Sequence, residues 1–460
     1  MKKFLATVGN IWRVKDVRSK ILFTLLILVL YRLGAQIPVP FVNPDALADL
    51  QASANTGLLQ YMNIFSGEAF SQATLFALSI SPYITSSIVM QLLCVALPPL
   101  ERMAKDEEGK KKITQITRYV TVGLALVTAI GYYLYLSNQG MVSYIGTSAG
   151  LKFFTAVVMV ACYCAGASLI MWLGEKINES GIGNGISMIL FANIVVSFPA
   201  QAAYIFKLIF NFDRELPGVG ATANQSFWWI GTIIGVLGFA MILAMIAFMV
   251  FMTNSERRLP VQYAKRVVGR KMYGGQNTNL PLKLNMTGVM PIIFASSIVS
   301  IPATIAMFFG KSNATSGFWG WANDFNQYHW AYILVFGILM IAFAYFYIAI
   351  SFNPVEVANN LKKNGGSIPG IRAGKPTSDY ISRILSRTTF IGAICLLIIA
   401  LVPMILGAIG NAVGTSNWAY ALTYFSFSGN SLLIVVGVVL ETVREIEAQM
   451  TMRNFKGFLE

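Results

Sequence analysis

Ten stretches of this chain run for about twenty residues with almost no charge: 20–38, 74–97, 118–136, 153–173, 185–206, 227–251, 286–309, 330–350, 388–410 and 419–440. That length matches the hydrocarbon core of a bilayer, which takes about 20 apolar residues of helix. Lipid offers no partner to backbone N–H and C=O groups, so stretches of this kind must form helices. Only 12% of the residues are charged, and the mean hydropathy is +0.63. Soluble domains average about 25% charged residues. Arg32 is the one charged side chain clearly inside an apolar stretch, near its end. Pumps and ion-coupled transporters need ionisable groups at membrane depth. The pattern instead predicts a passive conduit, all-α, with ten transmembrane helices.

The net charge is +14, and its distribution says more than its size. With the first residues on the cytoplasmic side, ten crossings return the last residues to that side. The cytoplasmic segments then carry Lys and Arg as follows: six in 1–20, six in 98–118, one in 174–184, seven in 252–285, six in 351–387 and three in 441–460. These make 29 of the 34 basic residues and leave five for the rest of the chain. The positive-inside bias fixes this orientation. Residues 1–20 are polar and basic, and the first apolar stretch has full spanning length, so a cleavable signal is not expected. Cys94, Cys162, Cys164 and Cys395 all lie in apolar stretches and read as small packing residues. His329 is the single histidine, at an outer helix boundary, so no metal site or triad is expected, and no cofactor.

Ten spans divide into five and five. An odd number per half makes the second half start outside, so halves of one fold would be inverted repeats around a midplane pathway. The expected division is 1–206, an outer hinge loop at 207–226, and 227–460. Residues 64–97 exceed one crossing: Gly67, Glu68, Ser71 and Gln72 interrupt the first part, and Pro82 would kink a helix interior. A re-entrant half-helix at about 60–73 followed by a full helix is the economical reading; an interfacial outer helix is the alternative. The loop 252–285 mixes β-formers and bases, with Tyr273-Gly274-Gly275 as a turn signal, and predicts a β-hairpin arm. The loop 351–387 predicts a helix over 354–363, a Gly/Pro turn and a second helix from about Thr377.

GIGNGIS at 181–187 lacks the preceding strand and the Lys-Ser/Thr of a phosphate loop, so it predicts a tight cytoplasmic turn into the fifth helix. Two glycosylation-type triplets, at 178–180 and 313–315, are weak signals, and the first falls on the cytoplasmic side. Ser86, Ser87, Gln91, Ser296 and Ser297 put small polar groups into the second and seventh helices. They either aid helix packing or face a seam that opens.

Six blocks in one order carry a resemblance: YRLGAQIPVP (31–40), NIFSGEAFSQATLFALSISPYITSSIVMQLL (63–93), GEKINESGIGNGISMILFANI (174–194), PVQYAKRVVGRKMYGGQNTNLPLKLNMTGVMPIIFASSI (260–298), NNLKKNGGSIPGIRAG (359–374) and SLLIVVGVVLETVREIE (431–447). The chain closely resembles the SecY family, the large subunit of the bacterial protein-conducting channel, over essentially its whole length. The resemblance implies two inverted five-helix halves around an hourglass pore in the cytoplasmic (inner) membrane.

Carried over motif by motif, the family's apolar pore ring falls on Ile80, Ile84, Ile186, Leu190, Ile293 and Ile434. Such a ring dewets when empty and deforms around a polypeptide. The plug falls on Asn63, Phe65, Ser66, Gly67, Glu68 and Phe70. The lateral gate, between the second and third helices and the seventh and eighth, takes in the five polar residues of the second and seventh. The docking arms for the SecA motor and the ribosome carry Arg258, Lys265, Arg266, Arg270, Lys271, Arg372 and Lys375. The other implied partners are SecE, SecG, SecDF, YidC, signal sequences with their nascent chains, and anionic lipids. The family is not enzymatic and takes no small-molecule substrate. Ala373 stands where the family usually has proline, and Ser428 and Asn430 depart from its FGGTS. A secondary transporter for a small solute is the alternative reading; it lacks ionisable residues at depth and a use for the arms. A scaffold without a conduit would leave the half-helix without a use.

Overall fold

The computed structural model describes residues 14–43, 63, 65–144, 148–210, 228–263, 266–268, 271–273, 277–308, 329–413 and 417–456. Helix α1 is Lys15–Gly34, α2 Ser81–Ala96, α3 Pro98–Lys105, α4 Glu107–Asn138, α5 Ala149–Ser180, α6 Gly185–Phe210 and α7 Trp228–Asn254. A β-arm follows: β1 Glu256–Tyr263, β2 Arg266–Val268, β3 Lys271–Tyr273 and β4 Asn277–Lys283. Then come α8 Met290–Val299, α9 Ile301–Phe308, α10 Trp330–Ser351, α11 Pro354–Lys363, β5 Gly366–Ser367, α12 Lys375–Val413 and α13 Asn417–Lys456. A helix overlaps each of the ten expected stretches. Among the described residues five helices are long and apolar enough to cross a membrane, and a sixth span results if α2 and its bent continuation count as one.

Several boundaries differ from expectation for physical reasons. The second span does not begin at 74. Residues 67–80 are a run of turns, and α2 starts at Ser81 with Pro82 in its first turn. There the missing N–H costs nothing, so Pro82 opens a helix rather than kinking one. The half-helix expected at 60–73 is, where described, a short helical turn at 63 and 65–66 leading into those turns. The seventh span is broken: α8 ends at Val299 and α9 restarts at Ile301, because Pro302 can neither donate to the preceding turn nor fit within it. After α2 the chain bends by 108° into α3, a helix that the sequence reading left as loop. The helix expected from Thr377 and the ninth span are one element, α12. The outer loop lies outside the described residues from 211 to 227, and α6 runs on to Phe210.

The arm is antiparallel. Val268 faces Lys271, and the two glycines of the Tyr273-Gly274-Gly275 turn signal lie outside the described residues. Its base pairs Glu256–Gln262 with Asn277–Lys283. The other edge of β1 takes β5, Gln262 against Ser367 and Tyr263 against Gly366. Two loops that sequence treats separately therefore form one three-stranded sheet. Leu259, Val261, Leu282, Ile368, Ile381 and Ile384 bury its inner face against α12. Asn353 caps α11 by accepting from Val355 N and Glu356 N at 3.1 and 3.4 Å, with Lys362 and Lys363 at the helix's negative end.

The principal core gathers apolar side chains from α1, α2, α5, α6, α7, α8, α10, α12 and α13. A second core, around Phe70, Tyr132, Tyr135 and Tyr163, holds the turns against α4 and α5. The approach of α5 to α6 depends on glycine, since a Cβ on Gly185 would collide with the Gly174 carbonyl.

Candidate functional site

The six side chains expected to ring a pore meet in the principal core. Ile80, Ile84, Leu190, Ile293 and Ile434 are buried there, and Ile186 is half-buried against the same cluster. They arrive from different elements. Ile80 and Ile84 flank Pro82 at the start of α2. Ile186 and Leu190 share one face of α6, four residues apart. Ile293 sits on α8 and Ile434 on α13. The cluster carries no charge, so it can exclude water and ions while offering no specific contact to a passing chain.

The turn into α6 that seats Ile186 is braced from four sides. Asn178 Oδ1 accepts from Gly185 N at 2.7 Å, and Asn184 Oδ1 accepts from Ile186 N at 3.0 Å. Thr24 Oγ1 accepts from Ile182 N at 3.0 Å, and Glu445 Oε2 accepts from Gly183 N at 2.8 Å. GIGNGIS is thus a tight turn, as expected.

The segment 63–80 lies beside the cluster and is folded by its own polar atoms. Ser66 Oγ donates to Asn63 O at 3.0 Å and accepts from Phe70 N at 3.0 Å. Asn63 Oδ1 accepts from Ser71 N at 3.1 Å. Gly67, Glu68, Ala73 and Ser79 have φ of 63°, 71°, 47° and 54°. Three of these are not glycine, and such backbone persists only where the surroundings over-determine it. Arg32 Nη1 donates to Gly67 O at 2.7 Å, which gives this charge in an apolar stretch a main-chain acceptor.

The polar residues of the expected gate are placed less simply. Helices α2 and α8 pack against each other. Ser86 Oγ, however, donates to Thr117 O of α4 at 2.9 Å and so turns toward that helix. Ser296 and Ser297 donate back to Ile293 O at 2.9 and 2.8 Å. Gln91 Nε2 donates to Ser87 Oγ at 3.3 Å. Of the basic docking residues, Arg372 and Lys375 are exposed, and Arg258 Nε meets Glu256 Oε1 at 2.7 Å. The side chains of Lys265, Arg266, Arg270 and Lys271 lie outside the described residues. His329 Nδ1 accepts from Ala331 N at 3.3 Å and caps α10, a role the sequence reading did not assign.

Sequence reading also missed the tail of α13. Arg444 donates to the Thr253 carbonyl and, at 3.1 Å, to Asn254 Oδ1, while Gln449 Oε1 accepts from Lys20 Nζ at 3.3 Å. Burial first, and Glu445 second, push the Glu441 carboxyl above its usual range, with Arg444 opposing. Burial, then Arg444, pulls the Lys283 ammonium below its usual value. The signal for this cluster was the alternation of Glu and Arg in ETVREIE, which ordinary helix-face pairing also explains.

The model of the SecY family matches residues 74–443. A Streptomyces galbus protein, "Protein translocase subunit SecY", is 44% identical over 467 residues, covering 99% of this chain and 100% of its own. A solved structure, "The structure of a protein conducting channel", superposes with a TM-score of 0.61 at 16% identity, covering 94% of this chain and 92% of its own. A second, "The plug domain of the SecY protein stablizes the closed state of the translocation channel and maintains a membrane seal", gives 0.57 at 16% identity over the same shares. The fold is theirs, and by the family match and the 44% identity over nearly its full length this multi-pass membrane chain belongs to the SecY family.

Proposed function

We propose that this chain is the pore subunit of a protein translocase, a passive conduit that passes unfolded secretory proteins across the cytoplasmic membrane and releases apolar segments sideways into lipid. The observation that carries the reading is the uncharged cluster of Ile80, Ile84, Ile186, Leu190, Ile293 and Ile434, drawn from both halves of the chain and adjoined by a folded segment made mostly of turns. Ile80 to Ile434 form the ring, and residues from about 60 to 73 form the plug. The seam of α2 and α4 with α8 and α10 is the gate, with Ser86, Ser87, Gln91, Ser296 and Ser297 along it. The halves 1–206 and 227–460 move about 207–226.

The chain itself catalyses nothing. Work is supplied by a motor ATPase of the SecA kind or by a ribosome docked on the β-arm and the Arg372 turn. SecE- and SecG-like subunits, SecDF, YidC and anionic lipids complete the assembly. The solute-transporter alternative has no charged binding group in the cluster to use.

Site-specific crosslinking tests the proposal. A photoreactive side chain at position 84 or 293 should capture a stalled secretory precursor halfway through its length. Capture only of the signal sequence, or of no precursor, would remove the ring from the path.

A further inference from the structure

The segment 63–70 is attached at its two ends by different kinds of contact. At its downstream end Phe70 packs 4.8 Å from the Tyr132 ring, within the core that Tyr135, Met159 and Tyr163 complete. Tyr132 Oη also donates to Phe70 O at 2.7 Å. That end is part of an apolar interior and cannot leave without exposing it.

At its upstream end the ties are polar. Arg32 Nη1 holds Gly67 O, and Asn193 Nδ2 donates to Phe65 O, each at 2.7 Å. Ser79 Oγ donates to the same Phe65 carbonyl at 2.7 Å. Asn193 is fully buried on α6, beside the buried hydroxyl of Tyr31 and the hydroxyl of Ser79. Gly67 is bound to this arrangement: at φ +63°, an added Cβ would stand 2.8 Å from Asn193 Oδ1 and 3.1 Å from Arg32 Nη1.

We propose that Arg32 and Asn193 are positioning residues that latch residues 65–68 in the sealed state, while Phe70 stays anchored as the hinge. This rests on the reading of that segment as a plug. Breaking the tie to Phe65 strands the buried Asn193 amide, which makes the site costly to leave half-made, because a polar group without a partner in a low-dielectric interior is penalised heavily. The guanidinium is held by a carbonyl rather than a carboxylate, so it can let go without stranding a second charge. Once the segment swings out, water entering the space it leaves solvates Arg32, and release is thereby coupled to hydration.

The test uses the full chain, purified with the membrane subunits that accompany it and reconstituted in planar phospholipid bilayers. Resting ion conductance is the readout. A hydrogen bond from a charged donor shifts an equilibrium by roughly ten- to hundredfold, so Arg32→Gln should raise the open fraction by about that factor. Asn193→Leu and Gly67→Ala should raise it in the same direction. Arg32→Lys, which keeps a charged donor, should lie closer to the parent. Lys152→Gln, which removes an exposed charge elsewhere, should change nothing. Deleting 62–72 should leak by itself, and adding Arg32→Gln to the deletion should leak no further.

If the deletion leaks while Arg32→Gln and Asn193→Leu stay as tight as the parent, the latch is wrong and the plug stands. If the deletion does not leak, both fall. Additive leaks would show that Arg32 acts elsewhere, which also overturns the latch. Should Arg32→Gln fail to accumulate, Gly67→Ala and Asn193→Leu decide the matter by the same readout.

Discussion

Ile293 has no exposed surface, yet it sits one turn from two serines. Their hydroxyls turn back onto the Ile293 carbonyl, so the helix satisfies its own polar groups and leaves the cluster dry. Ile293→Asn would place an amide there without a partner, at a cost of about 1–3 kcal/mol in the sealed state. Opening to water relieves that cost. Precursors with defective signal sequences should therefore be exported more readily by Ile293→Asn or Ile434→Asn, whereas Ile293→Val, which keeps the ring apolar, should behave as the parent. Equal rejection of defective signals by all of these would count against the ring. Nothing in the periodicity singled out these isoleucines, because one isoleucine in an apolar stretch looks like another; only the resemblance selected them. Arg32 was legible without help, since an isolated charge in such a stretch stands out. Its acceptor was not, because Gly67 comes 35 residues later, and Asn193, which completes the arrangement, lies 128 residues beyond Phe65.

The β-arm and the turn after α11 make one element rather than two. Pattern reading found the hairpin and the helix 354–363 because alternation and capping are local signals. It could not find β5, a two-residue strand whose only reason to be extended is the waiting edge of β1. The excess length and polar breaks of 64–97 were legible in the same way, but the left-handed backbone at Glu68, Ala73 and Ser79 was not, since single residues in that conformation leave no periodic or compositional mark. The sheet positions Arg372. Its carbonyl accepts from Thr377 Oγ1 at 2.8 Å, so the turn is tied to the first turn of α12 although Ala373 lacks a proline's stiffness. Arg372 itself is exposed. Arg372→Glu should abolish motor- or ribosome-driven export while membrane insertion stays normal, because reversing a rim charge turns attraction of an acidic partner into repulsion. Thr377→Val should weaken export in the same direction by less. Export and partner affinity measured together check both; undiminished export with Arg372→Glu would reduce Arg372 to one topology charge among six in its loop.

At the scale of the molecule, hydrogen bonds join every segment that the charge count assigns to one side. Lys20 meets Gln449, Gly183 meets Glu445, and Arg444 meets Thr253, which ties 1–20, 174–184, 252–285 and 441–460 together. The pairing of β1 with β5 adds 351–387, and Arg118 with Glu175 at 2.9 Å adds 98–118. The opposite end has its own links: Pro38 bridges Thr74, and Val42 bridges Val142. Which segments share a side thus follows twice, from the count of 29 of 34 basic residues and from the specific contacts that join those segments. Orientation then needs one rule, that the basic face stays in the cytoplasm. Cysteines engineered at positions 145, 218 and 318 should react with an impermeant thiol reagent from the outer side only, and cysteines at 106 and 364 from the cytoplasmic side only. The native Cys94, Cys162, Cys164 and Cys395, all partly buried, would be replaced first. Labelling of 218 from the cytoplasm alone would break the alternation after α6 and with it the five-and-five division. Labelling of all five positions with reversed sides would keep the fold and overturn only the orientation, since the contacts fix which segments travel together and the charge alone decides where.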